Sequence, residues 1–172
     1  MSAKMTDSPR LKLSAPARRA VLTLHIVVAV GLLGDSAGFL AVAIRGASAD
    51  DPAFARSCYE LLRMFSVAFG IPLSFAALIT GVTLGVSSRW GVLRYPWTTA
   101  KLLLIVSVIL VGALVIDGAL TTMLDGRGGA EMRLITAAAW DVLALTTATA
   151  LAVYKPGRRR SPRRVAGHFP PA

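Results

Sequence analysis

The chain has 172 residues, 55% hydrophobic and only 16% charged, where an average soluble domain is about 25% charged. Its formal net charge is +10, but Lys and Arg gather at the two ends and in one central stretch. No basic face with interleaved aromatics results, so nucleic-acid binding is set aside. A single cysteine, Cys58, excludes an internal disulfide and has no Cys or His neighbour at metal-ligand spacing, which makes it a small buried filler.

Residues 1–16 are rich in Ser, Ala, Pro and Lys without apolar periodicity, and read as a disordered cytoplasmic tail. Arg18 and Arg19 precede an apolar run from Ala20 to Ile44, close to the roughly 20 residues a spanning helix needs. A cleaved secretory signal has an apolar region of only about 7–15 residues, so a retained helix is favoured. Asp50-Asp51-Pro52 supplies a carboxylate cap and a first-turn proline. The segment from Pro52 to Arg63 carries Arg56, Glu60 and Arg63, and reads as a helical lead-in outside the membrane. A second span runs from about Met64 to Val86, with Pro72 expected to kink it near Gly70-Ile71.

The stretch Ser87–Lys101 is the polar hinge between the second and third spans. It holds Arg89, Arg94 and Lys101 without an acid, beside Trp90, Tyr95 and Trp97. Cationic loops mark the cytoplasmic side, and Trp and Tyr the membrane–water interface. The third span is expected from Trp97 to Leu124, a glycine-rich turn at Asp125–Gly129, and the fourth span from about Met132 to Val153. Lys155-Pro156-Gly157 stops that helix, and residues 155–172 form a polybasic, disordered cytoplasmic tail that also holds His168.

Charge counting orients the whole. With both termini inside, the outer segments hold Arg45, Arg56, Arg63, Arg127 and Arg133, while the other fourteen of the nineteen Lys and Arg lie on the inner side. The expected fold is therefore all-α: a four-helix transmembrane bundle over residues 17–154, N and C termini cytoplasmic, in the inner (plasma) membrane. The polybasic tail would draw anionic inner-leaflet lipid at about 1 kcal/mol per cation near the surface. Gly34 with Gly38, and Gly81 with Gly85, are small pairs at helix-contact spacing. Most such pairs are expected to pack within the bundle. A homo-oligomer or another membrane partner is compatible with them but not required.

Five ionisable side chains fall within the spans: His25, Asp35, Lys101, Asp117 and Asp141. Charges in a bilayer cost several kcal/mol, so each is a functional candidate. At about 1.5 Å per residue, His25 and Lys101 reach similar depth in the cytoplasmic half, and the three aspartates similar depth in the outer half. The inner pair has the chemistry to bind an anionic or metallated cofactor, imidazole to metal and ammonium to carboxylate. Alternatively, Lys101 snorkels to the headgroups and His25 only hydrogen-bonds a neighbouring helix. The outer acids suit a proton or cation site. Their plainer role is packing, bonded to Ser36, Thr121, Thr122 or Thr136, or neutralised by Arg63. Lys101 and Asp117, 16 residues apart, should point to nearly opposite sides of a regular helix. No nucleophile elbow, phosphate loop, zinc-protease motif or paired-cysteine motif is present, so no catalytic residue and no metal site are assigned.

The block Ile71-Pro72-Leu73-Ser74, Thr80-Gly81, Ser88-Arg89-Trp90-Gly91-Val92-Leu93-Arg94, Trp97 and Ala100-Lys101-Leu102, with the Leu22-Thr23-Leu24-His25 opening, resembles a bacterial family of integral membrane proteins. That family is mostly actinobacterial, of unknown function, and the resemblance covers residues 20–153. It implies a four-span layout and no particular activity. A fainter similarity reaches copper-resistance protein D and the haem-containing membrane protoporphyrinogen oxidases, which place a His in the first span and an Ala-Lys-Leu-like motif later. Only His25 and Lys101 carry over, which implies haem as the cofactor to consider. The oxidases' further His-rich signature has no counterpart here.

Three functions are compatible with these residues. The first is a non-enzymatic membrane component or partner subunit. The second is a haem- or metal-binding redox protein using His25 and Lys101. The third is a proton- or cation-coupled permease using Asp35, Asp117 and Asp141.

Overall fold

The computed structural model describes residues 13–87 and 96–154. The hinge residues Arg89, Trp90, Arg94 and Tyr95, the first twelve residues and the polybasic tail lie outside the described residues. Among those described there are four long helices and no strand. They are α1 (Ala15–Ala47), α2 (Pro52–Val86), α3 (Pro96–Leu124) and α4 (Glu131–Tyr154), each long and apolar enough to cross a membrane.

Local chemistry sets the helix ends. Ser14 caps α1 by accepting from the Ala17 N–H, with proline in the first turn. Asp51 caps α2 through Oδ1, 3.0 Å from the Ala53 nitrogen, again ahead of a proline. The lead-in from Pro52 is therefore continuous with the second span. At about 1.5 Å per residue the 35-residue α2 is roughly 52 Å long, well beyond a hydrocarbon core of about 30 Å. Between α3 and α4, Gly126, Gly128 and Gly129 take φ of 73°, 60° and 76°, left-handed values that glycine adopts without strain.

The helices pack in a ring in which α1 touches α2 and α4, and α3 touches the same two. The end carrying the α1–α2 and α3–α4 connections is called the connection end, and the opposite one the terminal end. Two packed layers fill the bundle. Phe39, Ala43, Tyr59, Leu62, Ile116, Leu120 and Leu134 form the layer at the connection end. Val28, Leu32, Ala77, Val108 and Leu145 form the layer nearer the terminal end. Outside, large apolar side chains such as Val27, Val30, Ile79, Leu103, Leu114 and Leu143 are exposed, a surface suited to lipid tails and costly in water.

Two features depart from regular helix. The distortion expected from Pro72 is a π turn at Ser66–Gly70, closed by the Ile71 N–H on the Ser66 carbonyl five residues back. Pro72 has no N–H for the Ala68 carbonyl, and the widened turn just ahead accommodates its ring. A second π turn, Gly112–Ile116, lies in α3, where the Asp117 N–H meets the Gly112 carbonyl.

That second turn corrects the expectation for α3. A π turn accommodates one extra residue, so Lys101 and Asp117 are separated by about 60° rather than about 160° around the axis. Both can therefore serve the bundle interior.

The glycine expectation also needs amendment. A Cβ added at Gly34 or Gly38 would meet nothing within 4 Å, so this pair makes no close helix contact. The close approaches are elsewhere. A Cβ on Gly46 would fall 3.0 Å from Cys58 Cβ, and one on Gly81 3.2 Å from His25 Cε1.

A carboxylate-lined cavity between the two packed layers

Nearer the connection end, the two layers leave a cavity of about 360 Å³ between them. Its apolar walls come from both layers: Leu32 and Val108 on one side, Phe39, Ile116 and Leu120 on the other. Of the residues contributed by α1 and α4, Leu32, Ser36, Phe39, Ala138 and Asp141 are buried and form the back, and Asp35 is partly buried. The exposed lining residues belong to α2 (Val67, Ile71, Phe75) and α3 (Ala113, Asp117), so the mouth lies between those helices.

Asp35, Asp117 and Asp141, from three different helices, all line this cavity. The three lie at one level of the bundle, and Asp117 follows directly on the π turn of α3. Asp141 is 7% exposed and buried at the back. Neither Asp35 Oδ1 nor Asp141 Oδ1 meets a hydrogen-bond partner among the described residues, although both atoms are buried. A buried carboxylate without donors costs several kcal/mol if it stays charged. A proton, a positive group or a hydrogen-bond donor in the cavity relieves that cost.

Among the described residues one cation lines the cavity with them. Arg63 Nη1 lies 3.5 Å from Asp117 Oδ1 and donates to Thr121 Oγ1 at 3.2 Å. Both partners of the ion pair are about half exposed, so the pair sits at the mouth and leaves Asp35 and Asp141 without a guanidinium. The alternative packing bonds to threonines are not formed. Thr121, Thr122 and Thr136 each donate to a carbonyl one turn back on their own helix.

Both π turns border the cavity, through Ser66, Val67 and Gly70 of α2 and Gly112, Ala113 and Ile116 of α3. A Cβ on Gly70 would lie 3.5 Å from Asp35 Oδ2, an ordinary contact distance, so the carboxylate lies against the π turn of α2. Among the described residues no three His, Cys, Asp or Glu side chains converge as a metal-ion site.

Nearer the terminal end, His25 Nδ1 lies 2.8 Å from Thr80 Oγ1 across the α1–α2 contact. The Thr80 hydroxyl donates its one proton to the Ala76 carbonyl at 2.6 Å, so His25 Nδ1–H is the donor to Thr80. Gly81 gives the imidazole room. Lys101 of α3 is within electrostatic reach of the same ring. The imidazole is thus part of an interhelix hydrogen bond, the packing role that its chemistry also allowed.

Cys58 is buried against Gly46, as a small filler should be. The π turns, Thr80 as the partner of His25, and Phe39 and Phe75 as cavity walls were not anticipated. Pro72 is a signal for the first π turn; the α3 turn has no such marker.

Comparison with protein-family models, with curated proteins and with solved structures finds no match for this chain.

Proposed function

We propose that this chain is a multi-pass protein of the inner (plasma) membrane that binds a cation or proton in the aspartate-lined cavity and couples it to transport. Three aspartates from α1, α3 and α4 line one cavity, and among the described residues they share it with a single guanidinium while two buried carboxylate oxygens have no donor; this carries the reading. Ionisable groups that face a bundle interior, rather than lipid, are the usual elements of ion and proton pathways. π turns are frequent at functional sites, and here two of them border the same space.

The proposal includes an orientation. Fourteen of the nineteen Lys and Arg fall on the side of the two termini and the central hinge, so both termini are assigned to the cytoplasm. The cavity then lies in the outer half of the bilayer. Four helices line only part of a translocation path, so a homo-oligomer is part of the reading.

Purified protein in liposomes, loaded with a pH-sensitive dye and challenged with a proton or potassium gradient, tests this. Flux should exceed that of empty liposomes and fall about tenfold or more in Asp35→Asn or Asp141→Asn. Flux that is equal in wild type and both variants would remove the transport reading.

A further inference from the structure

The geometry points to a small organic ammonium ion with an apolar body as the ligand of the cavity between α2 and α3. This rests on the cation-site reading above and specifies its ligand class. Asp141 is 7% exposed, lines the cavity from the back, and its Oδ1 has no donor among the described residues; Asp35 of α1 is only partly buried, but its Oδ1 is likewise buried without a donor among them. Arg63 is drawn to Asp117 at the mouth, leaving the two deeper carboxylates as acceptors for a positive group that supplies its own N–H donors.

The remaining walls decide what accompanies that charge. Beside the carboxylates and the serines Ser36, Ser66 and Ser74, Phe39, Phe75, Val108 and Ile109 supply apolar and aromatic surface that a bare inorganic ion would leave unfilled and an apolar body would cover. No three acids converge as metal ligands among the described residues. A volume of about 360 Å³ falls within the range of about 300–1,000 Å³ typical of small-molecule sites, which are mostly apolar with a few fixed polar groups. Phenyl faces beside an ammonium add attraction of their own. The mouth is rimmed by exposed apolar side chains, Val67, Ile71 and Phe75, along which an apolar body can pass.

Full-length protein in nanodiscs, titrated calorimetrically with phenethylammonium and corrected against empty nanodiscs, tests the assignment. Phenethyl alcohol serves as the uncharged comparator. The ammonium should bind at least about tenfold more tightly than the alcohol, a difference of about 1.4 kcal/mol. Asp141→Asn and Asp35→Asn should each lower its affinity about tenfold. Gly112→Leu, which extends a side chain from a position with nothing within 4 Å of an added Cβ, should block binding while leaving every carboxylate in place. Asp125→Asn, outside the cavity, should bind as wild type.

Equal binding of alcohol and ammonium would overturn the assignment, as would unaltered binding in Asp141→Asn and Gly112→Leu, or no binding by folded wild type. Carboxylate-dependent proton or potassium flux without ammonium binding would overturn the ligand class but leave the transport reading standing. Carboxylate-dependent ammonium binding without flux would do the reverse.

Discussion

Arg63 Nη1 of α2 lies 3.5 Å from Asp117 Oδ1 of α3, joining the two helices that carry π turns at the mouth of the cavity. The side chains are 46% and 64% exposed, so the pair itself contributes little to folding, about 0–1 kcal/mol. Its larger effect is on the field inside. Arg63 partly offsets three carboxylates, so Arg63→Gln should raise cation affinity about three- to tenfold at low salt. The unfolding midpoint should move little. Titration of wild type and variant at two ionic strengths checks this, since the gain should shrink as salt screens the charge.

The His25–Thr80 bond should be measurable as a helix-packing term. Interhelix hydrogen bonds in membranes average about 0.6 kcal/mol by double-mutant cycle, with a maximum near 1.7. A cycle of His25→Ala and Thr80→Val, read by reversible unfolding in mixed micelles, should give a coupling in that range. Gly81→Leu should cost more than Thr80→Val, because its first carbon alone already reaches 3.2 Å from His25 Cε1. Zero coupling, or a neutral Gly81→Leu, would show that the imidazole does not hold α1 to α2.

Much of this arrangement was legible in the sequence because it follows from sums along the chain. Apolar run length gives four helices that can cross a membrane. Helix rise alone places Asp35, Asp117 and Asp141 at one depth, and they line one cavity. Asp51-Pro52 and the glycines after Asp125 give the helix start and the turn. What failed was azimuth. The direction in which Asp117 points depends on every turn before it, and one π turn at Gly112–Ile116 shifts all later residues by about 100°. No proline marks it. The glycine pairs failed for a related reason: spacing shows that Gly34 and Gly38 share a face, but not whether a neighbour lies against that face. Which threonine His25 would meet also depends on the packing of α1 on α2, which joins residues 55 apart in sequence.

The α3 π turn should accordingly behave as a single residue inserted into a regular helix. Removing one residue within it should restore a regular helix with Ile116, Ala119 and Leu120, now 5%, 0% and 1% exposed, still on their packed layer, whereas adding one would rotate them by about 100° away from it. Losing buried Leu or Ile contacts costs about 2–5 kcal/mol each. Insertion of an alanine after Ala113 should therefore lower unfolding free energy by at least about 4 kcal/mol, and ligand binding with it, whereas deletion of Ala113 should cost far less. Ala113→Ser, an exposed substitution in an unchanged frame, should stay within about 0.5 kcal/mol of wild type. Similar stabilities for the insertion and the deletion would mean that the π turn does not set the direction of the residues after it.

Cys58 provides a readout for the connection end. Its side chain is buried in the lead-in of α2, with its Cβ 3.0 Å from the position a Cβ on Gly46 would take. The Tyr59 ring is similarly close, at 3.3 Å to Cε1. A larger residue at 46 must therefore push the lead-in off α1, whereas one at Gly34 meets open space. Overpacking of this kind typically costs about 1–3 kcal/mol. Opening of the contact exposes the thiol in proportion to its equilibrium population, so 1–3 kcal/mol corresponds to a rise of roughly 5- to 150-fold in the open fraction. Maleimide labelling of Cys58 in nanodiscs should thus be slow in wild type and in Gly34→Val, and faster by that factor in Gly46→Val. Equal labelling of Gly46→Val and Gly34→Val would mean that the α1–α2 contact at Gly46 is not what shields the thiol.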